Sequence, residues 1–257
     1  MIKLFRNIRY DLMEKNKIGK YLKYAIGEIV LVVIGILIAL SINNWNQQRL
    51  EKIEEVSTLQ SMKKDFIDSK ENIESTIELQ KRAMRNTKGL IGVMYAKAIE
   101  TPFDSIGNYI ILGALSYYKV EPLTGTYDAL IGSGKISIIK NEELNRKLAE
   151  YSAKLKFGFE DEDYCIQLTT LLTEKCSAFL PFLMPDRLKE SVGIDINYYD
   201  KGMKEAFAEH LENTSFIGIL LQKYFMERNR LSYQIDLLED VDMIINQINS
   251  ELERKAK

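Results

Sequence analysis

The strongest pattern in the chain is AIGEIVLVVIGILIALSI at residues 25–42, which carries no polar side chain from 29 to 40. Extended to the flanking aromatics it covers residues 24–45, close to the ~20 residues that a helix needs to cross a hydrocarbon core. Tyr21 and Tyr24 stand at one end and Trp45 at the other, where rings with one polar edge settle at headgroup level. The pattern predicts a transmembrane helix over 24–45. A cleaved signal peptide is an alternative, because Ala39-Leu40-Ser41 has the small-x-small form of a cleavage site. A buried core helix of a soluble protein is another. Against cleavage, the following NNWNQQRLEKIEEV is polar, helix-compatible and free of Gly and Pro. No cysteine lies nearby, which excludes a lipoprotein anchor.

Beyond the span the period changes. Residues 46–98 contain no proline, and their apolar positions form rows seven apart: Leu59, Phe66 and Ile73, then Ile77, Met84, Ile91 and Ala98. Such rows describe a narrow helical seam. Thr101-Pro102 ends the helix, since the residue before proline resists the helical region. Near the other end Ile217, Tyr224, Leu231, Leu238, Ile245 and Leu252 also recur every seven residues, joined by Leu221, Ile235 and Ile248 and interrupted by Arg228 and Asp242. Thr214-Ser215 offers this helix its N-cap. Two heptad helices at opposite ends of one region are expected to pair antiparallel.

The part between them reads as short helices. Asp104 is expected to cap a helix through 118, and residues 124–131 form another. Gly132, Ser133 and Gly134 make a turn, and 136–139 is a brief extended or buried run. Asn141 caps the next helix, with Glu142 and Glu143 favourably placed in its first turn. That helix runs toward Phe179 with a possible break at Gly158, residues 186–200 are loop, and 203–211 is helical. The expected fold is all-α. It comprises a basic cytoplasmic arm (1–23), a transmembrane helix (24–45) continuing into a stalk helix (46–100), a small helical head (101–213) and a C-terminal heptad helix (214–257).

Charge sets the orientation of this arrangement. Lys3, Arg6, Arg9, Lys15, Lys17, Lys20 and Lys23 precede the span against only Asp11 and Glu14, which places the N-terminus in the cytoplasm and the bulk of the chain outside it. Ile2, Phe5, Ile8 and Leu12 suit a short helix on the inner leaflet, and a frayed tail suits the same residues. Over all 257 residues, 35 Lys and Arg nearly balance 37 Asp and Glu. That near-neutral balance argues against a general nucleic-acid binder. An apolar share of 46% excludes a disordered chain. Two cysteines cannot build a disulfide scaffold, and a single histidine leaves little for zinc or histidine catalysis.

The chemical candidates are sparse. Gly132-Ser133-Gly134-Lys135 suggests a phosphate loop, but Ala129 stands where the motif needs its first glycine and Ile136 where it needs Ser or Thr. A helix-ending turn is the better reading. Glu160, Asp161, Glu162 and Asp163 form an acidic run without the alternation of a calcium loop. His210 stands alone. Cys165 and Cys176 are eleven apart, so they share a helix face at ~16 Å, beyond disulfide reach. They read as buried thiols, with bridging between subunits the alternative. Glu28 sits at the cytoplasmic edge of the span, either interfacial or held by a hydrogen bond from another helix. Gly35 and Ala39 form a small-xxx-small pair that lets two helix backbones approach.

The stretch YAIGEIVLVVIGILIAL, followed by a polar residue and INNWN, resembles the signature of a large family of uncharacterised Bacteroidota membrane proteins, catalogued as a domain of unknown function. The likeness is specific over residues 1–50 and looser at TGTYDALIGSGKISIIKNEELNRKLAEY, 124–151. It implies a single-span envelope protein with a helical extracytoplasmic part, and it transfers no catalytic residue.

The leading functional expectation is a non-enzymatic scaffold or interaction module, anchored in the inner membrane, that binds another envelope component. It carries no cofactor. Its span forms a homodimer or joins a partner helix through Glu28, Gly35 and Ala39. The rival is a ligand-sensing helical bundle that acts through a partner protein, because only about 24 residues would face the cytoplasm.

Overall fold

The computed structural model describes residues 18–96, 101–158, 162–183, 190–191, 193, 208–209 and 212–256. The amphipathic arm expected over 2–13, most of the loop at 186–200, most of the helix at 203–211 and His210 lie outside them. All regular structure among the described residues is helical. Helix α1 (Ile18–Ala96) is followed by α2 (Phe103–Tyr109), a π-helical turn (Ile110–Ala114), α3 (Gly125–Gly132) and a 3-10 turn (Ile136–Ile138). Then come α4 (Glu142–Phe157), α5 (Glu162–Cys176), the short α6 (Leu180–Leu183) and α7 (Thr214–Ala256). The chain divides into two compact units, Met1–Ser57 and Thr58–Lys257.

In the first unit every side chain from 29 to 54 is exposed. Ile29, Leu31 and Ile42 show more than half of their surface, at 63%, 67% and 62%. Burying such residues is worth about 1.5–3 kcal/mol each, and nothing within this unit covers them. Among the described residues, α1 is the one helix long and apolar enough to cross a membrane.

The second unit is built around an antiparallel pair. Lys70 donates to Asp242 at 2.6 Å, and the Gln80 amide donates to the Glu227 carbonyl at 2.8 Å. Positions rise along α1 as they fall along α7. Helices α4 and α5 also run antiparallel to α7: Asn141 meets Glu251 at 2.6 Å, Lys154 meets Asp240, and Tyr164 meets Gln222 at 2.7 Å. Leu144, Leu148 and Tyr151 of α4 therefore share a core with Phe66 and Ile73 of α1 and Leu237, Val241 and Ile244 of α7. The Phe66 and Tyr151 rings lie 5.2 Å apart, tilted by 57°.

The seam alternates steps of three and four, as helices that pack along their length require. On α1 it runs through Leu59, Met62, Phe66, Ser69, Ile73, Thr76, Gln80, Ala83, Thr87 and Leu90. Phe66 and Ile73 lie in this row, and Met84 is partly buried beside it. On α7 the buried positions are Phe216, Leu220, Lys223, Glu227, Arg230, Gln234, Leu237, Val241, Ile244, Ile248 and Glu251. This row lies one residue before the apolar row read from sequence. Ile217, Tyr224, Leu231, Leu238 and Ile245 are partly buried flanks. The offset has a physical cause: four successive seam positions, 223 to 234, are polar, so counting apolar residues finds the adjacent row instead.

Local chemistry explains the ends and breaks. The Asn141 side chain accepts from the Leu144 amide at 2.9 Å, and Lys154 and Lys156 lie in the last turn of α4, both favourable for the helix. The cap of α7 is Asn213, whose side chain accepts from the Ser215 amide at 2.9 Å, and not the Thr214-Ser215 pair. The α4–α5 break falls where Gly158 was noted. The Tyr233 hydroxyl donates to the Lys154 carbonyl, and its ring end fills the space a Cβ at 158 would take. The helix expected through 118 instead ends at Tyr109 and widens into the π-helical turn. There Gly113 comes so close to α1 that a Cβ would stand 2.6 Å from the Thr87 nitrogen.

Candidate functional site

Two apolar clusters occupy the second unit. One gathers Leu59 to Ile77 of α1 with Leu237 to Ile248 of α7; the other gathers Leu90, Ile110, Leu172, Phe216 and Leu220. Between them lies a charged layer. The Lys223, Glu227 and Arg230 side chains are 2%, 8% and 3% exposed. Isolated charges at such depth would be costly, and these are paired. Glu227 Oε2 accepts from Gln80 at 2.7 Å and from Arg230 at 2.9 Å; its Oε1 lies 3.4 Å from Lys223 Nζ and from the Cys165 thiol.

One carboxylate faces two cations, and the surplus charge is directed at backbone. Residues 116–124 have no helical or strand structure of their own, so their peptide groups need outside partners. Lys223 donates to the Ser116 carbonyl at 2.8 Å, and Arg230 to the Tyr118 carbonyl at 2.7 Å. Helix α1 supplies the acceptors. Asn72 accepts from the Glu121 amide at 2.9 Å, Ser69 from Leu123 at 2.7 Å, and Asp65 from Thr126 at 2.8 Å. The segment is a strap tied on one side to the cations of α7 and on the other to acceptors of α1.

Tyr117 joins the strap to the layer. The Arg230 guanidinium sits 4.3 Å from its ring centre, a cation–π contact. Its hydroxyl donates to Glu162 at 2.6 Å, and Lys119 lies 3.4 Å from the other Glu162 oxygen. Burial, helped by the bond to Glu162, pushes the Tyr117 hydroxyl well above its ordinary value. Burial and the facing Glu227 push the Cys165 thiol up to about 11, and burial pushes Cys176 up to about 12. Both cysteines are free and buried, so each is a protonated, shielded thiol and not a group presented for bridging. An open groove of about 350 Å³ lies beside Tyr117, lined by Ile166, Thr169, Thr170, Thr173 and Ser177.

The residues singled out in sequence fall elsewhere. Glu28 is partly buried, and Ala39 and Trp45 are exposed, all on the first unit; a side chain at Gly35 would enter open space. Of the acidic run, Glu160 and Asp161 lie outside the described residues, while Glu162 is engaged with Tyr117 and Lys119. Gly134 has φ +69°, as a helix-ending turn requires. Among the described residues no three His, Cys, Asp or Glu side chains converge as metal ligands. The charged layer matches no catalytic motif in the sequence. Its signal is the polar run at 223, 227, 230 and 234, which keeps the seam's three-four step.

Comparison with known proteins places the chain. The model of DUF6090, a family of unknown function, matches residues 28–168, more than half of the chain, and the chain belongs to that family. The match includes the apolar span, the strap and α4. Neither the curated proteins nor the solved structures contain a match.

Proposed function

We propose that this member of the family is a membrane-anchored helical interaction module, held by residues 24–45 with the N-terminus in the cytoplasm and the second unit on the far side of the inner membrane. The observation that carries the reading is that every residue from 29 to 54 is exposed, while the second unit has its own core. A soluble core helix would bury its apolar face, whereas residues 29–40 of this stretch are apolar around the whole circumference, which suits lipid. The continuity of α1 from Ile18 to Ala96 favours an uncleaved anchor over a leader. The charge bias before the span supports the orientation.

The module is non-enzymatic in this reading and acts by binding another envelope component. The buried charges support it, because Lys223 and Arg230 are directed at the chain's own carbonyls and Glu227 at its own donors. Reporter fusions at Lys20 and Lys257 test the topology. They are expected to report opposite compartments, with Lys20 cytoplasmic. A cytoplasmic signal from the Lys257 fusion overturns the orientation.

A further inference from the structure

We infer that the strap of residues 116–124 is a releasable latch, which opens as a local unit while the two apolar clusters keep α1 and α7 paired. Three independent features meet at this level of the bundle. The strap's backbone is tied to side chains of other elements, Lys223 and Arg230 from α7 and Asn72 and Ser69 from α1, and its own side chains add Tyr117 and Lys119 on Glu162 and a single buried apolar residue, Val120. Opening the strap breaks these ties and withdraws Val120 from the cluster, but it breaks no helical ladder. The backbone before the strap is irregular as well: α2 gives way to a π-helical turn that ends at Ala114, and such turns concentrate where helices deform. The seam is also least apolar here, since Gln80 on α1 and positions 223–234 on α7 interrupt the contact between the clusters. Regions with few buried apolar contacts open at lower free energy than the core around them.

The latch has two kinds of tie. The cations hold carbonyls through charge-assisted hydrogen bonds, the stronger type, and Glu227 supplies the counter-charge that lets two cations lie side by side in the interior. Asn72 and Ser69 of α1 hold the Glu121 and Leu123 amides through neutral bonds. Opening uncovers Tyr117, Lys223 and Arg230 together and presents two cations and an aromatic ring at what was a closed surface.

The test is amide hydrogen exchange on the full chain in detergent micelles, with and without low urea. The Glu121 and Leu123 amides are expected to exchange at least about tenfold faster than seam amides near Ile73 and Val241, at a rate insensitive to low urea, which marks local opening. The triple variant Lys223→Met, Glu227→Gln, Arg230→Met, which removes the cations together with their counter-charge, should speed Glu121 and Leu123 by a further tenfold or so and leave the seam amides unchanged. Asn72→Ala with Ser69→Ala approaches the strap from the other side without altering any charge, so it serves if the first variant fails to fold. The same local rise is expected from it. Exchange of the strap that tracks the seam in urea, or variants that speed all amides equally or none, overturns the inference.

Discussion

Leu237 and Leu238 are adjacent on α7, identical in helix propensity, and placed differently by the structure. Leu237 is fully buried in the larger apolar cluster, and Leu238 only packs against its edge. Truncating each to Ala removes the same atoms and gives the same gain in propensity, so the difference isolates packing. A fully buried Leu→Ala change costs about 2–5 kcal/mol, of which part is the cavity left behind. At an edge the neighbours and solvent can close the gap, which leaves mainly the lost transfer term, about 1–1.5 kcal/mol. The gap between the variants is therefore about 1.5 kcal/mol or more, roughly tenfold in the unfolding constant. Pulse proteolysis of the full chain across a urea series in mild detergent reads it, because cleavage then reports the unfolded fraction. Leu237→Ala should show the lower midpoint. Equal midpoints, or a lower one for Leu238→Ala, would refute the seam through 237, 241 and 244 and restore the row through 231, 238 and 245.

The remaining predictions use other parts of the molecule. Gly113→Ala sets a methyl against the Thr87 backbone and should cost about 1–3 kcal/mol, as overpacking does. Gly92→Ala enters open space on a helix and should be neutral or stabilising by up to about 1 kcal/mol, and thermal melts of the two separate the cases. Cys165 and Cys176 hold their protons to about 11 and 12 when folded, whereas an exposed thiol ionises near 9.0. Their contribution to stability is full below 9.0 and falls as pH rises from there toward 11 and 12, because only the unfolded state loses the proton. A thiol reagent at pH 8 should leave both unlabelled until denaturant is added, and rapid labelling of the native chain would contradict their burial. For the span, Gly35→Ile should weaken self-association in a membrane two-hybrid assay more than Glu28→Leu, since inter-span hydrogen bonds average only ~0.6 kcal/mol; indifference to both removes the proposed helix contact.

The helices were legible where one period dominates. The apolar stretch at 25–42 and the seven-residue spacing on both long helices state their class directly, and Asn141 before Glu142-Glu143 marks a helix start that the structure keeps. The register of α7 was not legible from apolar spacing, because Lys223, Glu227, Arg230 and Gln234 sit in the seam while Tyr224, Leu231 and Leu238 line its edge. Serine and threonine hid the α1 seam in the same way at 69, 76 and 87. The strap was invisible for a different reason. Residues 116–124 lack a repeat, and what fixes them are bonds to side chains about fifty residues before and a hundred residues after them. The functional expectation rests on a short arm, one span, a long stalk and a head without a catalytic set, so the charged layer enters only with the fold.

The anchor is the central claim, and the intact mass of the chain recovered from carbonate-washed membranes tests it most directly. Alkaline carbonate strips proteins held at the surface and leaves spanning helices in the bilayer, and the mass shows whether residues 1–41 remain attached. An uncleaved anchor keeps the chain in the washed membranes with its N-terminal segment intact. Release into the wash, or a mature chain that begins near Ile42, would contradict it.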